Sequence, residues 1–188
     1  MFNLEKSIQA CYYLLKKNNF SLNYTKLIKL LYLADKKSLE ESLQTITGDT
    51  YVSMPNGPVL SKLYDLIMDR YRNENMQGRW NSRFSRDEYN LIIKTNHEQD
   101  ALGELSPFEI QTLDKIYSQF ENYNLSQIID YVHNNCPEWK DPEGSAIPIR
   151  TKEILKSIGR TPDEIEWIIA ETKAFEEEEK TFLSLAQE

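Results

Sequence analysis

The stretch that decides the fold runs from Lys26 to Met68 and reads KLIKLLYLADKKSLEESLQTITGDTYVSMPNGPVLSKLYDLIM. Its first part places apolar residues three and four positions apart, which predicts an amphipathic helix. The helix breaks at Thr47-Gly48-Asp49, and the alternation from Thr50 to Met54 is typical of a short, half-buried strand. In the turn Asn56-Gly57-Pro58 the glycine permits a positive φ, and the proline suits the first turn of a following helix. The stretch therefore predicts two helices joined by a strand and a tight turn.

Further helices flank this stretch on both sides. Apolar residues recur at helical spacing from Leu4 to Leu15, and Asn23 can cap the helix that follows. The strongest local signal is the sequence SPFE at 106–109, a capping box with proline at the first helical position. Another amphipathic pattern begins at about Leu125 and has to stop before Pro137. These patterns predict a domain built mostly of packed helices.

A second strand is predicted at Tyr89–Lys94, where it could pair with Thr50–Met54. The polar stretch Arg70–Asn90 between them is predicted to be irregular. Because a two-stranded sheet is marginal in water, it has to lie against the helices. The predicted fold class is mainly α, of the α+β type. It is a compact multi-helix domain with a small two- or three-stranded antiparallel β element, followed by a long C-terminal helix.

A domain boundary is predicted in Asp141–Pro148, which holds two prolines and a glycine. Residues 1–142 would form a self-contained domain, and residues 143–188 a C-terminal extension. The extension contains a short helix that ends at Gly159 and a long acidic helix from Pro162 to about Ala186. The apolar stripe of the long helix follows heptad-type spacing. It could cover its own domain, bind a second protein, or pair with a second copy of the chain.

The net charge of −8 is concentrated at the C-terminal end of the chain. Residues 161–188 carry nine acidic side chains against two lysines, a net of −7, which leaves −1 for residues 1–160. This balance argues against a general nucleic-acid binder, which usually presents a basic face.

Cys11 and Cys136 are too few for a disulfide framework, and no apolar run approaches the about 18 residues that cross a membrane. The N-terminus does not match a secretory signal, and we expect a cytoplasmic protein.

Long motifs in the central stretch and beyond it resemble a known family. The motifs are KLIKLLYLADK, TGDTYVSMPNGPV, SKLYDLI and LSPFEIQTLDKIYSQFENYNLSQIIDYVHNNCPEWKDP. They resemble the Panacea domain, also called the SocA-like antitoxin domain and linked to a phage-associated protein family, over about Leu4 to Pro142. The resemblance implies an antitoxin that binds and neutralises a toxin encoded beside it. It also implies an alternative, since some relatives act as adaptors that deliver a toxin to a protease.

One position departs from the family pattern. The family's turn often carries a histidine before its glycine and proline, whereas this chain has Asn56 there. A role that depends on an imidazole at this turn therefore does not carry over.

No catalytic constellation stands out in the sequence. His97 and His133 have no carboxylate or cysteine at ligand spacing. Asp35, Asp49 and Asp65 could include a carboxylate pair, but Asp49 better fits a backbone-bonding turn residue, and the other two fit caps or salt bridges. There is no glycine-rich phosphate loop, nucleophile elbow or metal signature. We therefore expect a binding protein without enzymatic activity, cofactor or metal.

Three segments are candidate partner surfaces: the hairpin around Asn56, the arginine-rich segment, and the C-terminal helix. Between Arg70 and Arg86, five arginines alternate with three aromatic residues. This mixture suits a protein interface, a nucleic-acid surface, or a solvated loop pinned by one buried aromatic. The candidate partner-binding residues are Tyr51, Met54, Asn56, Gly57, Arg79, Trp80, Arg83, Phe84, Phe175 and Phe182. The expected partner is a toxin protein, with a protease as a further partner if the chain is an adaptor. A nucleic-acid-binding regulator is the alternative that salt-sensitive DNA or RNA binding would favour.

Overall fold

The computed structural model describes residues 1–94 and 103–185. Within these ranges the chain is mainly helical, of the α+β type, as the sequence predicts, but it has two small antiparallel sheets where one β element was predicted. The helices are α1 (Leu4–Lys17), α2 (Tyr24–Ser42), α3 (Ser61–Ile67), α4 (Glu74–Arg83), α5 (Pro107–Phe120), α6 (Leu125–Asn135), α7 (Thr151–Ser157) and α8 (Pro162–Leu185). The strands are β1 (Ser21–Asn23), β2 (Tyr51–Met54), β3 (Gly57–Leu60), β4 (Phe84–Asp87), β5 (Asn90–Ile93) and β6 (Ile147–Ile149). None of the described helices combines the length and the apolar character needed to cross a membrane.

Helix α2 lies at the centre of the fold. The Asn23 side chain accepts hydrogen bonds from the amides of Thr25 and Lys26, which confirms the predicted cap. The helix packs against α1, α5, α6 and β3, and its leucines at 27, 30 and 31 are fully buried. Burying a leucine side chain contributes about 1.5–3 kcal/mol relative to leaving it exposed. The surrounding elements therefore gain much of their stability by packing on α2.

Local capping signals fix where α5 and α6 begin. The Ser106 hydroxyl accepts from the Glu109 amide at 3.2 Å, and the Glu109 carboxylate accepts from the Ser106 amide at 2.7 Å. The predicted capping box is thus confirmed. A second capping box joins Asn124 and Gln127 at the start of α6. The apolar pattern predicted this helix but not its capping box. Both helices begin at the residues predicted.

The strands of the described residues form two three-stranded antiparallel sheets, ordered β1-β5-β4 and β3-β2-β6. Strands β2 and β3 form a hairpin in which Tyr51 lies opposite Leu60. Pro58 therefore lies in a strand and not, as predicted, in the first turn of the next helix, which begins at Ser61. The predicted pairing of the Tyr89–Lys94 strand with Thr50–Met54 is wrong, because β5 pairs with β1 and β4 instead. Sequence alternation indicates which face of a strand is buried but not which strand lies beside it. Here β5 packs on α1, which keeps it away from β2.

The segment Arg70–Asn90 is ordered, which corrects the prediction that it is irregular. It contains α4, capped by Asn73 through the amide of Met76, and then β4. Trp80 and Phe84 are each 2% exposed, and their ring centroids lie 4.4 Å apart. Two buried aromatic rings supply the apolar area that holds this polar segment on the body.

The C-terminal extension contributes to the same core. Strand β6 pairs with β2 and places Ile149 opposite Tyr51. Ile154 and Leu155 of α7 and Ile168 of α8 are buried. Because the packing continues past residue 142, we propose that the structural body extends to about Arg160.

Candidate partner-binding surfaces

A buried carboxylate organises the loop between α2 and β2. Asp35 accepts hydrogen bonds from the amides of Ile46 and Thr47 at 2.8 and 3.0 Å. It also accepts from the hydroxyls of Thr47 and Tyr51. Burial raises the pKa of Asp35 to about 6, and the hydrogen bonds from Thr47 and Tyr51 oppose that rise. Asp35 therefore holds the loop in place from inside the core.

Asp49 ties the same loop to the next helix. Its carboxylate accepts from the Thr50 amide at 2.6 Å and from the Lys62 and Leu63 amides at 3.0 and 2.9 Å. The last two amides belong to the first turn of α3, where backbone donors have no partner within the helix. The prediction that Asp49 bonds to backbone is confirmed. Burial raises the pKa of the Asp49 carboxyl, and the hydrogen bonds from the three amides oppose that rise.

The other groups considered for chemistry lie in packed surroundings or outside the described residues. His133 stacks on Trp139 with 4.0 Å between ring centroids, and the Cys11 and Cys136 thiols are buried. His97 lies outside the described residues. Among those that are described, no cluster of three or more histidines, cysteines and acidic residues could hold a metal ion.

The segment after α6 anchors the β2–β3 hairpin. Trp139 donates from Nε1 to the Met54 carbonyl at 2.9 Å. The Lys140 amide donates to the Ser53 hydroxyl at 3.2 Å. The hairpin is thus fixed along β2 while Asn56 stays exposed at its turn.

A buried acidic residue fastens the same segment to α2. The Glu138 carboxylate accepts from the Tyr32 hydroxyl at 2.5 Å and from the Lys36 ammonium at 2.8 and 2.9 Å. The Glu138 side chain is completely buried, and the Lys36 ammonium forms an ion pair with it. The hairpin anchor therefore has a fixed position relative to the central helix.

Gly57→Ala is expected to destabilise the protein by about 2–4 kcal/mol, through backbone strain and overpacking. Gly57 has φ +102°, and an added Cβ would lie 2.6 Å from Val132 Cγ2 and 3.4 Å from Lys29 Cε. Urea denaturation of the variant beside wild type measures the loss. Gly144→Ala is the matched control, since Gly144 has φ +91° with open space around it and should lose only about 1 kcal/mol. Equal losses in the two variants would contradict close packing beneath the turn.

A groove of about 490 Å³ lies between helix α8 and the loop that Asp35 and Asp49 hold. We call it the α8 groove. Its apolar walls include Leu39, Leu43 and Ile46 on one side and Trp167, Ile168 and Phe175 on the other. The loop side is rigid because the hydrogen bonds of Asp35 fix its backbone.

Helix α8 presents large aromatic side chains at this groove. Trp167 is 56% exposed and Phe175 is 60% exposed, whereas Ile168 is buried against the body. Exposed aromatic side chains beside a concave surface are typical of protein interfaces, whose centres are enriched in aromatic residues. The side chain of Phe182 lies outside the described residues. The α8 groove is therefore a candidate docking surface for another protein.

The ten candidate partner-binding residues proposed from the sequence differ in how exposed they are. Four of them were expected to be exposed and instead lie in the core: Tyr51, Gly57, Trp80 and Phe84. Trp80 and Phe84 have arginines as neighbours in the sequence, yet both rings pack inward. Those at least partly exposed are Met54, Asn56, Arg79, Arg83 and Phe175. Arg79 forms an ion pair with Glu5 of α1.

Sequence reasoning missed Trp167, which a search for tryptophan next to the apolar stripe of α8 would have found.

Comparison with known proteins gives the class of this chain. A family model described as Antitoxin SocA-like, Panacea domain matches residues 27–140. Because the match covers more than half of the 188 residues, the chain belongs to this family. Neither a curated protein nor a solved structure matches it. The family match confirms the resemblance seen in the sequence. It includes the β2–β3 hairpin and Trp139 but ends before α8.

Proposed function

We propose that this protein is an antitoxin that neutralises a toxin protein by binding it directly. Membership of the Panacea family over residues 27–140 is the observation that carries the proposal. Neutralisation by binding needs a surface rather than a reacting group, which agrees with Asp35 and Asp49 being engaged in backbone hydrogen bonds. The toxin is expected to be the product of an adjacent gene. Buried free thiols at Cys11 and Cys136 suit a reducing compartment, so we assign the protein to the cytoplasm.

We assign the toxin contact to the α8 groove together with the exposed turn at Asn56. The groove offers an apolar concave surface, and Trp167 and Phe175 are available to fill pockets on a partner. The loop wall belongs to the family region, whereas the α8 wall lies beyond residue 140. On this assignment the family domain supplies a common platform, and α8 helps to select the toxin.

Co-expression with the adjacent gene product tests this proposal. The product is expected to arrest growth alone, and co-expression should restore growth and yield a complex that co-purifies. The double variant Trp167→Ala/Phe175→Ala should weaken toxin binding about tenfold or more, because truncating central interface aromatics costs more than about 1 kcal/mol each. Tyr89→Ala is the matched control, since Tyr89 is an equally exposed aromatic residue outside the groove. It should bind and neutralise as wild type does.

Toxin levels separate direct neutralisation from delivery to a protease. Direct neutralisation predicts that the toxin persists in the rescued cells, bound to this protein. If rescue requires a cellular protease and the toxin disappears, the protein is an adaptor. An adjacent product that is harmless alone, or rescue without a complex, would contradict the antitoxin proposal.

A further inference from the structure

A small cavity of about 150 Å³ lies beside the β2–β3 turn, and we call it the Lys29 cavity. The first two turns of α2, the hairpin turn and α3 form its walls. Its lining includes Tyr24, Thr25, Lys29, Asn56 and Tyr64. At about 30 Å³ for each water, the volume corresponds to about five water molecules. That space accommodates a carboxyl group and its stem but not a nucleotide, which needs a pocket of roughly 300 Å³ or more.

Lys29 gives this cavity a buried amino group that can carry a positive charge. The residue is 1% exposed, and its ammonium donates one hydrogen bond to the Pro58 carbonyl at 2.7 Å. In the described part of the chain, no carboxylate forms an ion pair with it. Burial lowers the pKa of Lys29 to about 7, because the cation is removed from water without a compensating charge. A buried ammonium without an anion is costly, and a ligand that supplies one would remove that cost.

Further donors lie around the same space. Three hydroxyl-bearing residues, Tyr24, Thr25 and Tyr64, line the cavity, and their hydroxyls make no hydrogen bond to another side chain or backbone group among the described residues. The Asn56 amide stands exposed at the mouth and likewise has no partner there. An ammonium retains two donors after bonding to Pro58, so the cavity holds several donors that are free for a ligand.

We propose that the Lys29 cavity receives the carboxylate of an aspartate or glutamate side chain of the bound toxin. This assignment rests on the proposed antitoxin function. A carboxylate has one negative charge and two acceptor oxygens, which match one lysine and a few neutral donors. A phosphate carries nearly two charges at neutral pH, and the second would be left without a cation. The cavity opens beside Asn56, within the surface assigned to the toxin, so a side chain of the docked protein can reach it.

Sodium acetate is the probe for the cavity itself, with sodium chloride at the same concentration as the control. The Lys29 Cε resonance is followed by NMR in the full chain. Acetate should shift it saturably and raise the pKa of Lys29, because a bound anion favours the ammonium form. Cys136, Tyr24 and Tyr64 are the titratable groups that face Lys29, and their resonances are followed in the same titration. A Lys29 signal that responds equally to acetate and chloride would overturn the proposal.

Toxin affinity identifies the occupant. Lys29→Met replaces the apolar stem with one of similar volume, lacks only the terminal amino group, and should fold, since it removes an uncompensated buried charge. Its affinity for the toxin should fall about tenfold or more, because the carboxylate that enters the cavity would be left unpaired. Lys37→Met, which removes a half-exposed lysine of the same helix, is the matched control and should bind as wild type. If acetate binds but Lys29→Met keeps full affinity, the occupant is not a toxin side chain, and the antitoxin function stands. If no toxin complex forms at all, the antitoxin function fails separately from the acetate result.

Discussion

A chain that ends at residue 142 is expected to lose its cooperative unfolding transition, whereas a chain that ends at residue 160 should keep it. The shorter chain lacks β6 and α7, and with them the buried side chains of Ile149, Ile154 and Leu155. Each of these contributes about 1.5–3 kcal/mol. Their combined loss of about 5 kcal/mol or more is comparable with the whole stability of a typical domain, which is about 5–15 kcal/mol.

The longer chain is the matched control, because it keeps β6 and α7 and loses only α8. From α8 the core loses the buried Ile168, a loss of about 2 kcal/mol. In the shorter chain, the loss of β6 also leaves one edge of β2 without a neighbouring strand, and an unpaired edge favours aggregation. Urea denaturation followed by circular dichroism and by tryptophan fluorescence distinguishes the two chains. If residues 1–142 unfold like the full chain, the domain boundary predicted at Asp141–Pro148 is supported and the longer body proposed here is wrong.

Replacing Asp35 with alanine is expected to destabilise the protein by about 3–5 kcal/mol. The substitution leaves the amides of Ile46 and Thr47 and the Tyr51 hydroxyl without their acceptor in a buried site. A buried donor that loses its partner costs about 1–3 kcal/mol. The loop that forms one wall of the α8 groove should then open, and toxin affinity should fall with stability.

Asp65→Ala is the control for this second prediction. Asp65 lies half-buried on α3, and none of the side-chain hydrogen bonds or ion pairs in the described residues involves it. Its loss should change the free energy of unfolding by at most about 0.5 kcal/mol. Urea denaturation of both variants gives the comparison. A loss below about 1 kcal/mol for Asp35→Ala would mean that the buried network does not hold the loop.

The elements that sequence analysis predicted correctly depend on residues close together in the chain. The Ser106–Glu109 capping box and the Asn23 cap each join groups two or three positions apart, so their formation can be read locally. The strand at Tyr51–Met54 follows from its alternation. The family motifs identify the class of domain, but they do not show how its parts contact one another.

The elements that were missed depend on contacts between distant segments. Strand β5 pairs with the distant β1, which no local pattern encodes, whereas its pairing with β4 closes a hairpin with a two-residue loop. Trp80 and Phe84 were expected at the surface because arginines surround them, although their spacing of four indicates one helical face. A lysine is rarely buried in a folded protein, but Lys29 is buried where α6 and the hairpin pack on α2. The sequence feature that indicates the burial of Lys29 is its position between Ile28 and Leu30, in a helix that is buried along most of its length.

The amount of this protein needed to neutralise a fixed amount of toxin tests the central claim most directly. Purified protein is added in steps to a cell extract in which the toxin blocks its target process, and the complexes formed are counted by native mass spectrometry. Neutralisation by occupancy predicts that recovery rises in proportion to dose and is complete when all of the toxin is in a complex of fixed composition. Full recovery at a small fraction of the toxin concentration, with no complex detected, would contradict it.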